Sequence, residues 1–259
     1  MSHNISFATS GQAESLPDVA KDDEIVRWLR RCTISFCDMY SYTPLVTYSE
    51  KVRRILPPDM RRLFSQLNFP SKIQSYLDTL SINFELLGDT MLSPIEVMRQ
   101  HTAHCFEGAV FAASVLAFHG RMPLLMDFAT AYDDEDHTVA LFRENGLWGA
   151  ISKTNHAVLK YRDAIYRTPR ELAMSYFHEY YLWDGRKSLR AYSAPFDLSK
   201  YPPGKWITSG ESLDWVMDAL AKSRYFPIIP KNFERHLRKA SKVELRALEV
   251  VDYKKDDTA

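Results

Sequence analysis

The sequence predicts an α+β protein in which an antiparallel β-sheet packs against one buried helix. Three observations support this fold class. Residues 105–118 are apolar on nearly every side of a helix, Asn145-Gly146 separates two strand-like segments, and helical segments precede and follow this region. A helix without a polar face has to lie in the core, and strands joined by a tight turn form a sheet that covers it.

Size and charge exclude several classes of protein. At about 150 residues per domain, 259 residues make one large domain, or one domain with an added subdomain. The 33 basic and 33 acidic residues cancel, so we expect no nucleic-acid partner and no anionic membrane partner. The longest uncharged apolar stretch, Gly108 to Gly120, is shorter than the about 20 residues of a membrane span.

The cysteine content favours a reducing compartment. Three cysteines are too few for a disulfide framework, and an odd number leaves at least one free thiol. Residues 1–22 lack the basic flank and apolar run of a secretory signal, and their polar character predicts a flexible leader. We therefore expect a cytoplasmic protein.

Residues 23–92 are predicted to be helical. One helix should begin near Asp23, with Cys32 on its apolar side, and a second should cover Ser71 to Phe84. Cys32 and Cys37 are five residues apart and do not share a helix face well. We interpret both as core residues.

Residues 93–183 should contain the central elements, each with its own local signal. Ser93-Pro94-Ile95-Glu96 predicts a capping box and a helix from Pro94 to about Gln100. The buried helix should run from Cys105 to Phe118 and end before Gly120. Strands are predicted over Pro123–Ala129, His137–Arg143 and Leu147–Ser152, and a capping box at Thr168 should begin a helix through about Tyr180.

Residues 184–251 are predicted to be mostly helical. Helices are expected over Ser212–Ala221 and Phe233–Leu237, and Ser241 should cap a last one. Residues 252–259 form a polar tail that we expect to be frayed. Residues 23–251 would then make a single domain.

A Cys–His pair is the chemical feature of the sequence. Cys105 lies at the predicted N-terminus of the buried helix, where free backbone N–H groups and the helix dipole favour a thiolate. His137 opens a strand directly after an acidic loop, so its imidazole is placed to face that helix end. The imidazole could accept the thiol proton and return it to a leaving group.

The order of these elements resembles the transglutaminase-like superfamily. The matching residues are Cys105 with Ala109 and Ala112, the link Gly120-Arg121-Met122-Pro123, His137, and Trp148 before the end of the third strand. The run Trp148 to His156 is similar to a group of uncharacterised bacterial proteins of that superfamily, and the resemblance covers roughly residues 93–183.

The resemblance implies a papain-like fold and a Cys–His–Asp triad acting on amide bonds, without a cofactor. Cys105 would form a thioester with a peptide or protein substrate, as in a protease, amidase, deamidase or transglutaminase. The family's aspartate position is occupied here by Ser152. The sequence therefore leaves open a second function, a catalytically silent scaffold that binds a peptide or protein partner.

Strand pairing bears on the third catalytic residue. A two-residue turn at Asn145-Gly146 pairs Val139 with Ser152, which places Ser152 on the same face as His137. Asn155 is the alternative third member, and it would need a bulge to reach that face. Gln100 is a candidate side-chain donor to an oxyanion, beside the Cys105 backbone N–H.

A zinc site is the remaining alternative for these residues. His101, His104, Cys105 and His137 carry the nitrogen and sulfur ligands that zinc prefers. Adjacent residues on a helix point in different directions, however, and no paired CxxC motif is present. We therefore expect no bound metal.

Overall fold

An antiparallel sheet of seven strands, with helices on both faces, organises the part of the chain that the structure describes. This computed structural model describes residues 46–85, 88 and 90–252. The predicted leader, the helix near Asp23, and Cys32 and Cys37 lie outside these residues. The α+β class is confirmed.

The helices and strands are numbered in chain order. The α-helices are α1 (Tyr48–Ile55), α2 (Pro58–Gln66), α3 (Pro70–Thr79), α4 (Pro94–Gln100), α5 (Cys105–Phe118), α6 (Pro169–Met174), α7 (Asp214–Ala221) and α8 (Lys242–Leu245). The strands are β1 (Ser81–Ile82), β2 (Thr102–Ala103), β3 (Leu124–Ala129), β4 (His137–Glu144), β5 (Leu147–Ile151), β6 (Arg162–Tyr166), β7 (Ala191–Ser193), β8 (Phe196–Asp197) and β9 (Tyr225–Pro227). Short 3-10 helices cover Ala157–Leu159, Leu198–Lys200, Pro203–Lys205, Glu234–His236 and Arg246–Glu249.

Helix α5 is the predicted buried helix, with the predicted bounds. Every residue from Phe106 to Phe118 is buried. The helix ends where Gly120 adopts a positive φ of 80°, and the Arg121 N–H then bonds to the carbonyl of Leu116. The apolar run and the glycine stop therefore predicted the bounds of this helix.

The β4–β5 hairpin has the predicted register. Asn145 and Gly146 have φ values of 50° and 82°, as a turn with two left-handed central residues requires. Ala140 pairs with Ile151, which continues the pairing set by that turn. The main sheet has the order β6-β5-β4-β3-β7-β9, and β8 pairs with the other end of β3.

Both faces of the central strand are covered. Ala140 and Phe142 of β4 belong to the core shared with α5, whereas Val139 and Leu141 pack in a second core with α6 residues such as Leu172. A strand buried on both faces has apolar residues in succession. The sheet is thus the middle layer, and no helix among the described residues has the length and apolarity to cross a membrane.

Two predicted helices are shorter than expected. The helix over Ser71 to Phe84 ends at Thr79, where buried Lys153 donates from Nζ to the carbonyls of Leu77 and Leu80 at 3.0 and 2.5 Å. The chain then enters β1, which pairs in parallel with β2. The helix expected through Tyr180 ends at Met174 and continues as turns.

The C-terminal prediction of mostly helical structure is wrong. Strands β7, β8 and β9 lie in this region and extend the sheet beside β3. They have two or three residues each, too few for an alternating pattern to be visible in the sequence. Helix α8 does begin with the predicted Ser241 capping box, and the Phe233–Leu237 segment is a 3-10 turn.

Two further local predictions also need correction. Helix α4 begins at Pro94, but the hydroxyl of Ser93 donates to the carbonyl of Ser209 at 2.6 Å and caps nothing. Asp252 is docked and not frayed, since its N–H bonds to the Asn155 carbonyl and its carboxylate to Lys160. Residues 253–259 of the predicted tail lie outside the described residues.

Candidate active site

Cys105 is the first residue of α5 and lies in the lining of a cavity of about 650 Å³, here called the Cys105 cavity. The lining residues are spread along the chain from Ile82 to Leu248. The residues that line it include His104, Cys105, Asp127, His137, Asn155 and Tyr180. The structure therefore brings the predicted Cys–His pair to one cavity.

His137 is held by Ser152, as strand parity predicted. The Nε2 atom of His137 lies 2.8 Å from the hydroxyl oxygen of Ser152. Both residues are buried, with exposed fractions of 6% and 0%. This bond leaves Nδ1 as the ring nitrogen of His137 for Cys105, and His137 is one of the groups that lower the pKa of the Cys105 thiol. The imidazole ring stacks on Phe128, with ring centroids 6.5 Å apart.

Ser152 is fixed by a residue that sequence reasoning missed, Gln74 of α3. The Gln74 side-chain amide accepts a bond from the Ser152 N–H at 3.0 Å and donates one to the Ser152 carbonyl at 2.9 Å. It therefore continues the backbone pairing just beyond the end of β5. Gln74 is three residues before Leu77, so helical spacing on the apolar face of α3 was the available signal.

His104 is a second imidazole at the thiol. Its Nε2 lies 2.7 Å from the carbonyl oxygen of Thr90, an acceptor, so Nε2 carries a proton. Its Nδ1 lies 3.3 Å from the Phe106 N–H and caps α5 when the ring is neutral. The adjacent Cys105 thiol raises the pKa of the His104 imidazole. The sequence analysis considered His104 only as a zinc ligand.

Glu107 anchors the N-terminus of α5. This carboxylate is fully buried, and it accepts hydrogen bonds from the backbone N–H groups of His104 and Leu92 and from the side chains of Thr90 and Asn83. A buried carboxylate requires such a set of donors. A glutamate within an otherwise apolar helix was the sequence signal for it.

The electrostatics of the site favour a thiolate. Burial raises the pKa of Cys105, but hydrogen bonds from His104 and His137, together with their positive charges, outweigh burial and lower the pKa from 9.0 to about 5. Burial lowers the pKa of His104, yet its bond to Cys105 and the nearby Glu107 carboxylate raise it from 6.5 to about 9. At neutral pH Cys105 is therefore a thiolate and His104 an imidazolium.

The other candidates occupy different positions. Asn155 lines the Cys105 cavity and stays the alternative third member. Gln100 is exposed on α4 and donates to Glu96 of the same helix at 3.4 Å, so the structure does not bring it to the thiol. The buried carboxylate of Asp127 bonds to Thr138 and Tyr225, and burial raises its pKa.

One of the four residues considered as zinc ligands, His101, does not line the Cys105 cavity. His101 is exposed, has a left-handed backbone at the end of α4, and packs edge-on against Tyr76. Within residues 46–85, 88 and 90–252, no three His, Cys, Asp or Glu side chains are arranged to hold a metal ion.

Comparison of the chain with protein-family models and with curated proteins gives no match to either. The transglutaminase-like resemblance therefore depends on the motif residues from Cys105 to Trp148 and remains a prediction.

Proposed function

We propose that the protein is a cysteine-dependent acyl-transfer enzyme with a papain-type, transglutaminase-like core. It acts on amide bonds and forms a thioester on Cys105. The observation that carries this proposal is the thiol between two imidazoles at the N-terminus of a buried helix, with a pKa of about 5. A cysteine packed only for stability has no use for a lowered pKa, because burial alone raises it.

The first chemical step follows from the positions of the two groups. The Cys105 thiolate attacks the carbonyl carbon of the substrate, and the carbonyl π electrons move to its oxygen. When this tetrahedral intermediate collapses, the C–N bond breaks and the leaving nitrogen takes the proton from Nδ1 of His137. Water or an amine, deprotonated by the now neutral His137, then attacks the thioester and releases Cys105.

Ser152 and Gln74 act through His137. A serine oxygen accepts the Nε2–H bond and fixes the ring orientation, although it brings no negative charge to stabilise the imidazolium. Cys105 gains charge stabilisation instead from its second imidazole, His104. In a Cys–His–Asp triad the aspartate stabilises the protonated imidazole. Here the thiolate has a second cationic partner, His104 at the N-cap of α5.

The substrate that suits the cavity is an uncharged or cationic peptide or protein segment. Six carboxylates contribute to the lining, and they disfavour an anionic ligand: Glu85, Asp127, Asp134, Glu135, Asp136 and Glu179. We also propose a cytoplasmic location, because a reducing compartment preserves a reactive thiolate.

Acyl trapping tests the proposal. The protein is incubated at pH 6 with pools of neutral and basic peptides, and its intact mass is measured together with that of a Cys105→Ser variant. We expect a mass increase equal to an acyl group, mapped to Cys105 and absent from the variant. Peptide binding with an affinity equal in both proteins, and no adduct on either, would support the silent scaffold instead.

A further inference from the structure

Tyr180 carries a buried hydroxyl that has no partner among the described residues. Its side chain is 4% exposed, and the hydroxyl oxygen makes no hydrogen bond there. Buried hydroxyls in native proteins are almost always bonded, so such an exception calls for an explanation. Tyr180 also lines the Cys105 cavity. A ligand in that cavity is a source of the missing partner.

The ring of Tyr180 is held beside the catalytic pair. It packs on Phe128 with ring centroids 6.4 Å apart, and Phe128 stacks on the imidazole of His137. The Ser188 N–H bonds to the backbone carbonyl of Tyr180 at 3.1 Å and fixes the main chain there. The hydroxyl is therefore presented from a packed aromatic cluster and not from a mobile loop tip.

The hydroxyl keeps its proton at any physiological pH. Burial raises the pKa of Tyr180 well above its ordinary value, and the nearby charge of the Cys105 thiolate raises it further. Tyr180 is thus a permanent donor in the lining of the cavity that also contains Cys105. Donors of this kind stabilise negative charge that develops during a reaction.

We propose that the Tyr180 hydroxyl donates a hydrogen bond to the oxyanion formed when Cys105 attacks a substrate carbonyl. This inference depends on the proposed acyl-transfer function. The sulfur–carbon bond forms, the π electron pair moves to oxygen, and Tyr180 bonds to that oxygen without giving up its proton. When the intermediate collapses, this electron pair re-forms the carbonyl π bond, the C–N bond breaks, and the leaving nitrogen takes the proton from His137. Tyr180 takes the role that Gln100 was expected to fill.

Two reactions of the same thiol separate this role from a structural one. Acylation of Cys105 by p-nitrophenyl acetate passes through an oxyanion, whereas alkylation by iodoacetamide does not. The Tyr180→Phe variant keeps the ring and its packing on Phe128. We expect acylation to slow by about 100-fold to 1,000-fold, as for the loss of one oxyanion donor, and alkylation to stay within about two-fold.

Tyr176→Phe is the matched control. Tyr176 also packs on Phe128, with centroids 4.9 Å apart, but its hydroxyl donates to the Lys160 carbonyl and it does not line the cavity. This variant should change neither rate.

Three outcomes would contradict the proposal in different ways. Wild-type acylation rates in Tyr180→Phe would overturn the role of the hydroxyl while leaving acyl transfer intact. An equal loss of acylation and alkylation, or an equal effect of Tyr176→Phe, would assign Tyr180 to packing. A wild-type protein that is alkylated but never acylated would contradict the acyl-transfer function, and this inference with it.

Discussion

Replacing Ser152 with alanine probes the bond that orients His137. The bond spans 2.8 Å between two buried groups, so its loss leaves the Nε2–H of His137 without its acceptor. A hydrogen bond to a charged group contributes about 1.5 to 3 kcal/mol. Because about 1.4 kcal/mol corresponds to one pKa unit, the loss of support for the imidazolium should raise the pKa of Cys105 by about one unit.

The size of the effect depends on the pH of the assay. At pH 5, near the wild-type pKa of about 5, a rise of about one unit lowers the thiolate fraction from about a half to about a tenth. Iodoacetamide labelling of Ser152→Ala should therefore be about five-fold slower than wild type at pH 5. At pH 8 both proteins are almost fully ionised, and their rates should agree.

The control is Ser114→Ala, which removes another fully buried hydroxyl. Ser114 lies on α5, nine residues after Cys105, and donates to the Phe111 carbonyl. This variant should leave the labelling profile unchanged. Ser152→Asp should shift the profile to lower pH, since a carboxylate favours the imidazolium. An unchanged profile in Ser152→Ala, or a larger shift in Asn155→Ala with folding intact, would refute the assignment of Ser152.

Three further predictions concern the support of the site. Gln74→Leu removes the partners of the Ser152 N–H and carbonyl, so it should lower the free energy of unfolding in urea denaturation by about 2 to 3 kcal/mol. It should also shift the labelling profile as Ser152→Ala does. A stability loss without that shift would limit Gln74 to packing. Gly108→Ala should lower the melting temperature by an amount equivalent to about 1 to 3 kcal/mol, because the added Cβ would lie 2.3 Å from Cβ of Lys153; an unchanged melting temperature would contradict that close approach. Chelators should change neither the melting temperature nor the reactivity of Cys105, whereas one zinc per chain, lost together with stability, would restore the metal alternative.

Local signals explain which elements could be predicted from the sequence. Helix α5 has apolar residues on nearly every side and a glycine just after its end, and the hairpin has a turn pair with a strong conformational preference. Both were predicted with their bounds or register. Because side chains alternate along a strand, the hairpin register also predicted that Ser152 faces His137.

Contacts between distant segments explain the rest. Gln74 meets Ser152 across a large sequence separation, so its helical spacing could place it on the apolar face of α3 but could not identify its partner. The end of α3 depends on Lys153, which lies on another element. Strands β7 and β8 pair with the edge of β3 that β4 leaves free, and β9 pairs with β7. These pairings, and not the short sequences of the strands, decide that they form. His104 was interpreted from its residue type as a candidate zinc ligand, whereas its role follows from its position at the N-cap of α5.

The pH dependence of Cys105 alkylation tests the central claim most directly. Native protein is labelled briefly with iodoacetamide between pH 4 and pH 10, and peptide mapping separates Cys105 from Cys32 and Cys37. The urea-denatured chain gives the reference profile, with a midpoint near the ordinary thiol pKa of about 8.5. We predict a midpoint for native Cys105 near pH 5, with the reaction fast above it, because a lowered pKa leaves the thiol ionised at all higher pH values. A native midpoint that coincides with the denatured one, or labelling of Cys105 only after unfolding, would contradict a nucleophilic Cys105.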